Sequence, residues 1–175
     1  MDEFSKEMRE GGESGMRRVS LAISVLAVFV AMVTVLGHRT HTEAVLMQTR
    51  AADQWNQLQA QKIRQTEDTN TVVLLSDQPS SNQADVQKHI ADYRLHIEKY
   101  KTEIPEEQEK AQDLQRETSL SEHRADRYDL GEALLEIAVV LSSITLLTRQ
   151  HTYFILGLIL GFAGLIAAAS ALLVH

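Results

Sequence analysis

The chain has no cysteine, only two prolines, and no glycine between Gly37 and Gly131. The lack of cysteine excludes disulfide bonds, thiolate-bound zinc and a cysteine nucleophile. The scarcity of glycine and proline favours long helices, because these two residues are the least compatible with a helix interior. The chain carries 17 basic and 24 acidic side chains. No basic stripe marks a surface for nucleic acid, so we expect no nucleic-acid partner.

Apolar residues are concentrated in three runs, at residues 19–37, 130–148 and 152–174. A helix needs roughly 20 mainly apolar residues to cross about 30 Å of hydrocarbon. The runs therefore predict an all-α membrane protein with three transmembrane helices. We interpret the first run as a retained span, because it is longer than the apolar core of about 7–15 residues in a cleaved signal peptide.

The segment between the first two spans, residues 38–129, predicts a long helical hairpin outside the membrane. It is rich in alanine, glutamine and charged residues that favour helix. Its one clear turn is the Ser-Asp-Gln-Pro-Ser-Ser-Asn sequence at 76–82. Pro105 predicts a kink or short break in the returning arm. Residues 1–18 predict a short polar tail without regular structure.

The returning arm has the periodicity of a coiled coil. Apolar residues recur at intervals of 4 and 3, which is the spacing of a coiled-coil seam. The predicted seam is Val86, Ile90, Tyr93, Ile97, Tyr100 and Ile104. The rising arm is less apolar and has six glutamines between positions 48 and 65. This mismatch suggests that the arms complete their packing in a larger bundle, through oligomerisation.

The third span carries small residues along one face, also at intervals of 4 and 3. The face is formed by Gly157, Gly161, Gly164, Ala168 and Ala171. In lipid, small residues allow helix backbones to approach closely, so this face predicts tight packing on another helix. The sequence leaves open whether that helix belongs to the same chain or to a second subunit.

Acidic residues lie at the start of the second span, and a cluster of basic residues and histidines follows the end of the first span. Asp129, Glu132 and Glu136 are spaced i, i+3, i+7. The first span ends, and the second begins, on the same side of the membrane. The candidate membrane-level ion pair is therefore drawn from Arg39, His38, His41, Glu132 and Glu136. A structural ion pair, a cation or proton site, and glutamates that reach to the headgroups are the three interpretations.

No catalytic, metal or cofactor motif is present. His89, Asp92 and His96 fall at i, i+3, i+7 on the returning arm, but nothing supplies a clear fourth zinc ligand. We find no phosphate-binding glycine loop, nucleophile elbow or His-Glu-x-x-His sequence. We therefore expect a protein that is not an enzyme and has no metal and no cofactor.

Two stretches resemble a known family. The first comprises Thr42-Glu43-Ala44 and Ala51-Ala52-Asp53-Gln54-Trp55-Asn56-Gln57-Leu58-Gln59-Ala60-Gln61-Lys62-Ile63-Arg64, and the second runs from Arg127-Tyr128-Asp129 to Leu146-Leu147-Thr148. Both are similar to the bacterial family labelled domain of unknown function 4337. Asn56-Gln57-Leu58 departs from the aromatic residues that the family tends to have there. The resemblance implies an inner-membrane protein with three spans and a helical middle, and no known activity.

The basic residues next to the spans are equal in number on the two sides, five against five. Because long loops cross the membrane largely regardless of charge, we give more weight to the N-terminal tail and the short final loop. They predict a cytoplasmic N-terminus, with the hairpin and the C-terminus in the periplasm. The leading functional hypothesis is a non-enzymatic scaffold or assembly subunit that acts through its hairpin and through oligomerisation. Its expected partners are the bilayer and either further copies of itself or another membrane protein. The alternatives are a small ion- or proton-conducting component that uses Glu132 and Glu136, and a sensor that signals through a partner.

Overall fold

The protein is built from three long helices. The computed structural model describes the backbone of residues 2–77 and 83–174. Helix α1 covers Asp2–Asp77, α2 covers Gln83–Thr148 and α3 covers His151–Ser170. A short 3₁₀ helix, Ala171–Leu173, follows α3. Arg149, in the connection between α2 and α3, has a positive φ of 55°.

The all-α prediction and the three apolar helices are confirmed, since each helix contains a stretch long and apolar enough to cross a membrane. The layout differs because no separate hairpin stands between the spans. The first span and the rising arm are one helix, and so are the returning arm and the second span. The physical reason is that neither junction contains a proline, and the glycines there, Gly37 and Gly131, weaken a helix by only about 1 kcal/mol each.

Two further predictions differ from the structure. Residues 2–18, for which no regular structure was expected, form the first part of α1. Helix α2 continues through Pro105, although proline removes one backbone hydrogen bond from a helix interior. The predicted turn at 76–82 lies largely outside the described residues, which stop at Asp77 and resume at Gln83.

The chain divides into two compact units. Unit 1 comprises Met1–Ala44 and Leu120–His175, and therefore includes parts of α1 and α2 together with α3. Its core is a cluster of buried side chains from all three helices and the 3₁₀ turn. The cluster consists of Leu26, Val33, Tyr128, Leu135, Ala138, Ala168 and Ala171.

Unit 2, Val45–Ser119, contains the remaining parts of α1 and α2. Along α1, Ala51 and Leu58 are buried and seven residues apart, which is the repeat length of a coiled coil. Along α2, the predicted seam residues have their side chains turned away from solvent: Ile90 is buried, and Val86, Tyr93, Ile97, Tyr100 and Ile104 are half-buried. Ala111 and Thr118 continue the buried side of α2 beyond Pro105.

Candidate functional site

Two polar contacts join α1 to α2 in unit 1, near the end of the first apolar run. The Thr34 hydroxyl lies 2.6 Å from Oε1 of Glu132. About one turn away along α2 and two turns away along α1, His41 Nε2 lies 2.9 Å from Oδ2 and 3.0 Å from Oδ1 of Asp129. We call these two contacts between α1 and α2, Thr34–Glu132 and His41–Asp129, the polar ladder.

Gly37 lies between the two contacts of the polar ladder. A Cβ atom at this position would be 3.3 Å from the Tyr128 Cβ atom and 3.7 Å from Oδ1 of Asp129. The first distance is tighter than most real Cβ contacts. The missing side chain therefore allows α1 and α2 to approach closely at the level of the ladder.

The polar ladder contains only part of the predicted ion-pair set. His41 and Glu132 are in it, whereas Arg39, His38 and Glu136 are exposed. Within the described part of the chain, no carboxylate oxygen lies within 4.0 Å of the Arg39 guanidinium. The predicted pairing of Arg39 with a span glutamate therefore does not occur in unit 1. An open apolar depression on α1 is lined by Thr34, Val35, His38, Arg39 and Thr42.

Thr34 was not among the site residues predicted from the sequence. A threonine in an apolar helix commonly bonds to the carbonyl four residues earlier, and Thr34 does lie 2.9 Å from the Val30 carbonyl oxygen. Nothing local distinguishes it from Thr40 or Thr42, which make the same kind of bond. Its position opposite Glu132 depends on how the two helices are rotated against each other.

The small-residue face of α3 packs inside the chain, against α2 and α1. A Cβ on Gly164 would lie 2.8 Å from the Gly131 carbonyl oxygen, and one on Gly161 would lie 2.8 Å from Leu26 Cδ2. One on Gly157 would lie 2.7 Å from Ser142 Oγ. Every member of the predicted face, Gly157, Gly161, Gly164, Ala168 and Ala171, is buried. The sequence did not specify which helix packs on this face, and the structure shows helices of the same chain packed on it.

Ser142 lies at this packed interface and is completely buried. Its Oγ atom has no hydrogen-bond partner among the described residues. Because a Cβ atom on Gly157 would lie only 2.7 Å from Ser142 Oγ, Ser142 fills the space beside the glycine as a small packing residue.

The end of α3 is attached to α2 by a charged side chain. Arg124 Nε donates a hydrogen bond of 2.9 Å to the carbonyl oxygen of Val174. A guanidinium group is a suitable partner here, because Val174 caps the C-terminus of the 3₁₀ helix that follows α3, and carbonyls at a helix end lack intrahelical donors.

In unit 2, polar residues on α1 contact α2. Gln54 donates a hydrogen bond to Glu107, and Lys62 Nζ lies 3.4 Å from Gln108 Oε1. The hydrogen bond from Lys110, with that from Gln54, lowers the pKa of Glu107. The same bond to Glu107 raises the pKa of Lys110.

The histidines of α2 do not form a metal centre. His96 Nδ1 lies 3.8 Å from Oδ2 of Asp68 on α1. His89 and Asp92 are exposed. Within residues 15–77 and 83–174, no group of three potential ligands is placed to hold a metal ion.

No curated protein and no solved structure is significantly similar to this chain. A family model does match, over residues 15–174, and its description is domain of unknown function (DUF4337). The match includes the polar ladder, the packed face of α3 and both parts of unit 2. The resemblance stated from the sequence is thereby confirmed, and the chain belongs to the DUF4337 family of unknown function.

Proposed function

We propose that this protein is a self-associating, non-enzymatic scaffold of the bacterial inner membrane. In this proposal the three helices of unit 1 lie in the bilayer, and unit 2 is a coiled-coil hairpin outside it. A second copy of the chain binds to the outer surface of unit 1, along α1 and the adjacent side of α2.

The observation that carries the proposal is the exposure of Glu136. This residue lies within the apolar run of α2, yet its side chain faces away from the core of unit 1. A charged group that faces lipid inside a span is costly unless it has a polar partner. A second copy of the chain can bring polar groups to this carboxyl group and satisfy its hydrogen bonds. Ser143, two turns further along, is exposed as well.

An exposed small-residue face on α1 provides the contact surface. It consists of Ser20, Ser24, Ala27 and Ala31, which are spaced 4, 3 and 4 apart and are all exposed. Small residues favour close helix packing in lipid. The corresponding face of α3 is already occupied by α2, which leaves the face on α1 free for a second copy. A twofold contact would place this surface against its own copy.

Unit 2 supports assembly outside the membrane. Its two helix segments have buried positions at coiled-coil spacing, and its seam on α1 contains polar residues such as Gln54 and Gln61. The Gln61 Oε1 atom is buried and has no partner in the described residues. Polar groups within a coiled-coil seam reduce stability but specify register and partner. This is a property suited to a scaffold that must bind one partner and reject others.

The proposal also includes the orientation predicted from the charges, with the N-terminus in the cytoplasm and unit 2 in the periplasm. Because the chain has no cysteine, a single cysteine introduced at the exposed Ser76 can be labelled without background. We expect an impermeant maleimide to label Ser76→Cys in intact cells. Labelling that requires disruption of the inner membrane would reverse the orientation.

The oligomeric state tests the scaffold directly. We expect the purified protein to be a dimer or larger in mild detergent and in lipid nanodiscs. The double variant Ala27→Leu/Ala31→Leu should convert it to monomer, because leucine side chains would separate the two copies of the face. Ala163→Leu/Ala169→Leu is the matched control, since both alanines are exposed on α3. A wild-type protein that is strictly monomeric in both environments would refute the proposal.

A further inference from the structure

Basic side chains without acidic neighbours lie at one end of unit 1, where α1 enters its apolar run and α2 connects to α3. In the sequence, no acidic residue lies between Glu13 and Glu43, and none follows Glu136. The basic side chains at this end are all exposed. Within the described part of the chain, no carboxylate oxygen lies within 4.0 Å of them. We call them the basic end, and they are Arg17, Arg18, Arg149 and His151.

The packing of the three helices places these residues at one level of unit 1. A Cβ atom on Gly161 of α3 would lie 2.8 Å from Leu26 Cδ2 of α1 and 3.4 Å from Ala138 Cβ of α2, so these three residues share a level. Nine residues further along each helix in the same direction, which is about 13–14 Å, are Arg17, Leu147 and Thr152. The rest of the basic end lies within two residues of these positions.

Exposed apolar side chains lie next to the basic end, on the side of the apolar core. Leu147 is 87% exposed, and Leu21 and Ile155 are exposed as well. Each lies within about one helical turn of a basic residue. The surface therefore carries positive charge at its outer edge and apolar groups beneath it. A phospholipid has the matching order of phosphate and acyl chains, whereas a free phosphate ion has no apolar part.

At the opposite end of unit 1, basic and acidic side chains are mixed. His38 and Arg39 are exposed there. The polar ladder brings Asp129 and Glu132 to this end, and Glu43 lies one turn beyond Arg39. An anionic group at this end would meet carboxylates, so the two ends of unit 1 suit different ligands.

We propose that the basic end of unit 1 is a binding site for anionic phospholipids. The guanidinium groups pair with the phosphodiester oxygens, which accept two parallel N–H bonds from one arginine. The acyl chains lie over the exposed apolar side chains beneath. Anionic lipids attract basic residues next to a span. This site goes beyond the scaffold function and does not depend on oligomerisation or on orientation, so a monomeric protein would refute the scaffold and leave this site in place.

Quenching of tryptophan fluorescence by brominated lipids measures lipid binding separately at each end of unit 1. The native Trp55 lies in unit 2 and is removed by Trp55→Phe. One tryptophan is then introduced, either by Leu147→Trp at the basic end or by Leu36→Trp, one turn before Arg39 at the opposite end. The full-length protein is reconstituted in phosphatidylcholine vesicles that contain brominated phosphatidylglycerol or brominated phosphatidylcholine.

The measured quantity is the binding constant of phosphatidylglycerol relative to that of phosphatidylcholine. We expect a ratio of at least about 5 at Leu147→Trp, which is the effect of one basic residue at an anionic surface. At Leu36→Trp we expect a ratio within about twofold of one, because carboxylates are present there. A ratio near one at Leu147→Trp, or equal ratios at the two positions, would overturn the proposal.

Removal of the positive charges provides the matched comparison. With the probe at Leu147→Trp, the variant Arg17→Gln/Arg18→Gln/Arg149→Gln should lower the ratio to within about twofold of one, since the three guanidinium groups supply the attraction. The control Arg39→Gln removes an exposed arginine at the opposite end and should leave the ratio unchanged. Circular dichroism checks that both variants keep their helices. An unchanged ratio in the triple variant, or an equal decrease in Arg39→Gln, would contradict the site.

Salt provides a test that leaves the basic end intact. The screening length falls from about 10 Å at 0.1 M salt to about 3 Å at 1 M. The ratio at Leu147→Trp should therefore fall at least about twofold over this range, while the ratio at Leu36→Trp should stay near one. A preference for phosphatidylglycerol that does not change with salt would contradict binding through the arginine charges.

Discussion

Gly131→Ala provides the most direct test of the packing of α2 against α3. An added Cβ would lie 2.8 Å from both the Gly164 carbonyl oxygen and the Ala168 Cβ atom, and 2.9 Å from the Ala168 backbone nitrogen. Two of these three atoms belong to the backbone of α3 and cannot move away by rotation of a side chain. The two helices must therefore separate to accept a single methyl group.

The expected magnitude follows from two opposing effects. Overpacking of a well-packed interface costs about 1–3 kcal/mol. Replacing glycine by alanine in a helix gains about 1 kcal/mol in helix propensity. Because the contacts involve backbone atoms, the cost should lie in the upper half of its range. We expect a net loss of about 1–2 kcal/mol in the free energy of unfolding, from these two ranges.

Unfolding by SDS titration in mixed micelles measures this loss, with two matched controls. In Gly161→Ala, the closest atom is Leu26 Cδ2 at 2.8 Å, the movable end of a side chain, so we expect little change. In Gly15→Ala, nothing lies within 4 Å of the added Cβ, so stability should be unchanged or slightly higher. Adding Ala168→Gly to Gly131→Ala should restore only part of the loss, since the backbone contacts remain. Equal stability of Gly131→Ala and Gly161→Ala would refute the reasoning.

Three further predictions concern other contacts. Leu58→Ala should destabilise unit 2 by about 2–3 kcal/mol, because the side chain is 1% exposed. The control Ile63→Ala, at a 50% exposed position, should change the unfolding midpoint little. Equal effects of the two substitutions would contradict the core assigned to unit 2. Because the pKa of Glu107 is lowered in the folded state, its ionised carboxylate stabilises the fold at pH values above the ordinary pKa of 4.5. This stabilisation is lost as the pH falls through the lower pKa of the folded state. Glu107→Gln should therefore make the free energy of unfolding, followed by circular dichroism, depend less on pH in the acid range. An unchanged pH profile would contradict the stabilising role of the Glu107 carboxylate. Arg124→Gln should lower the free energy of unfolding by about 1 kcal/mol, because its Nε atom donates a hydrogen bond to the Val174 carbonyl oxygen. Wild-type stability of this variant in SDS titration would show that the bond does not stabilise unit 1.

The sequence was sufficient to predict three apolar helices and the spacing of the residues that share a face on α2 and α3. Three apolar runs predicted three apolar helices because crossing hydrocarbon requires length and composition, and both are local properties. The 4-and-3 spacing of the α3 face and of the α2 seam could likewise be read directly, because the helical period determines which side chains share a face. Continuity through Pro105 could not be predicted in this way, since local rules favour a break at a proline.

The partners of each face were decided only by the tertiary structure. The small face of α3 packs on Gly131, Ala138 and Ser142 of α2, although the sequence allowed a second subunit equally. The sequence also placed Arg39 at the level of the span glutamates, but the rotation of α1 turns Arg39 outward and Thr34 toward Glu132. Depth along a helix follows from residue number, whereas rotation about its axis depends on how all three helices pack together. That rotation determines which carboxyl group is paired and which one faces out.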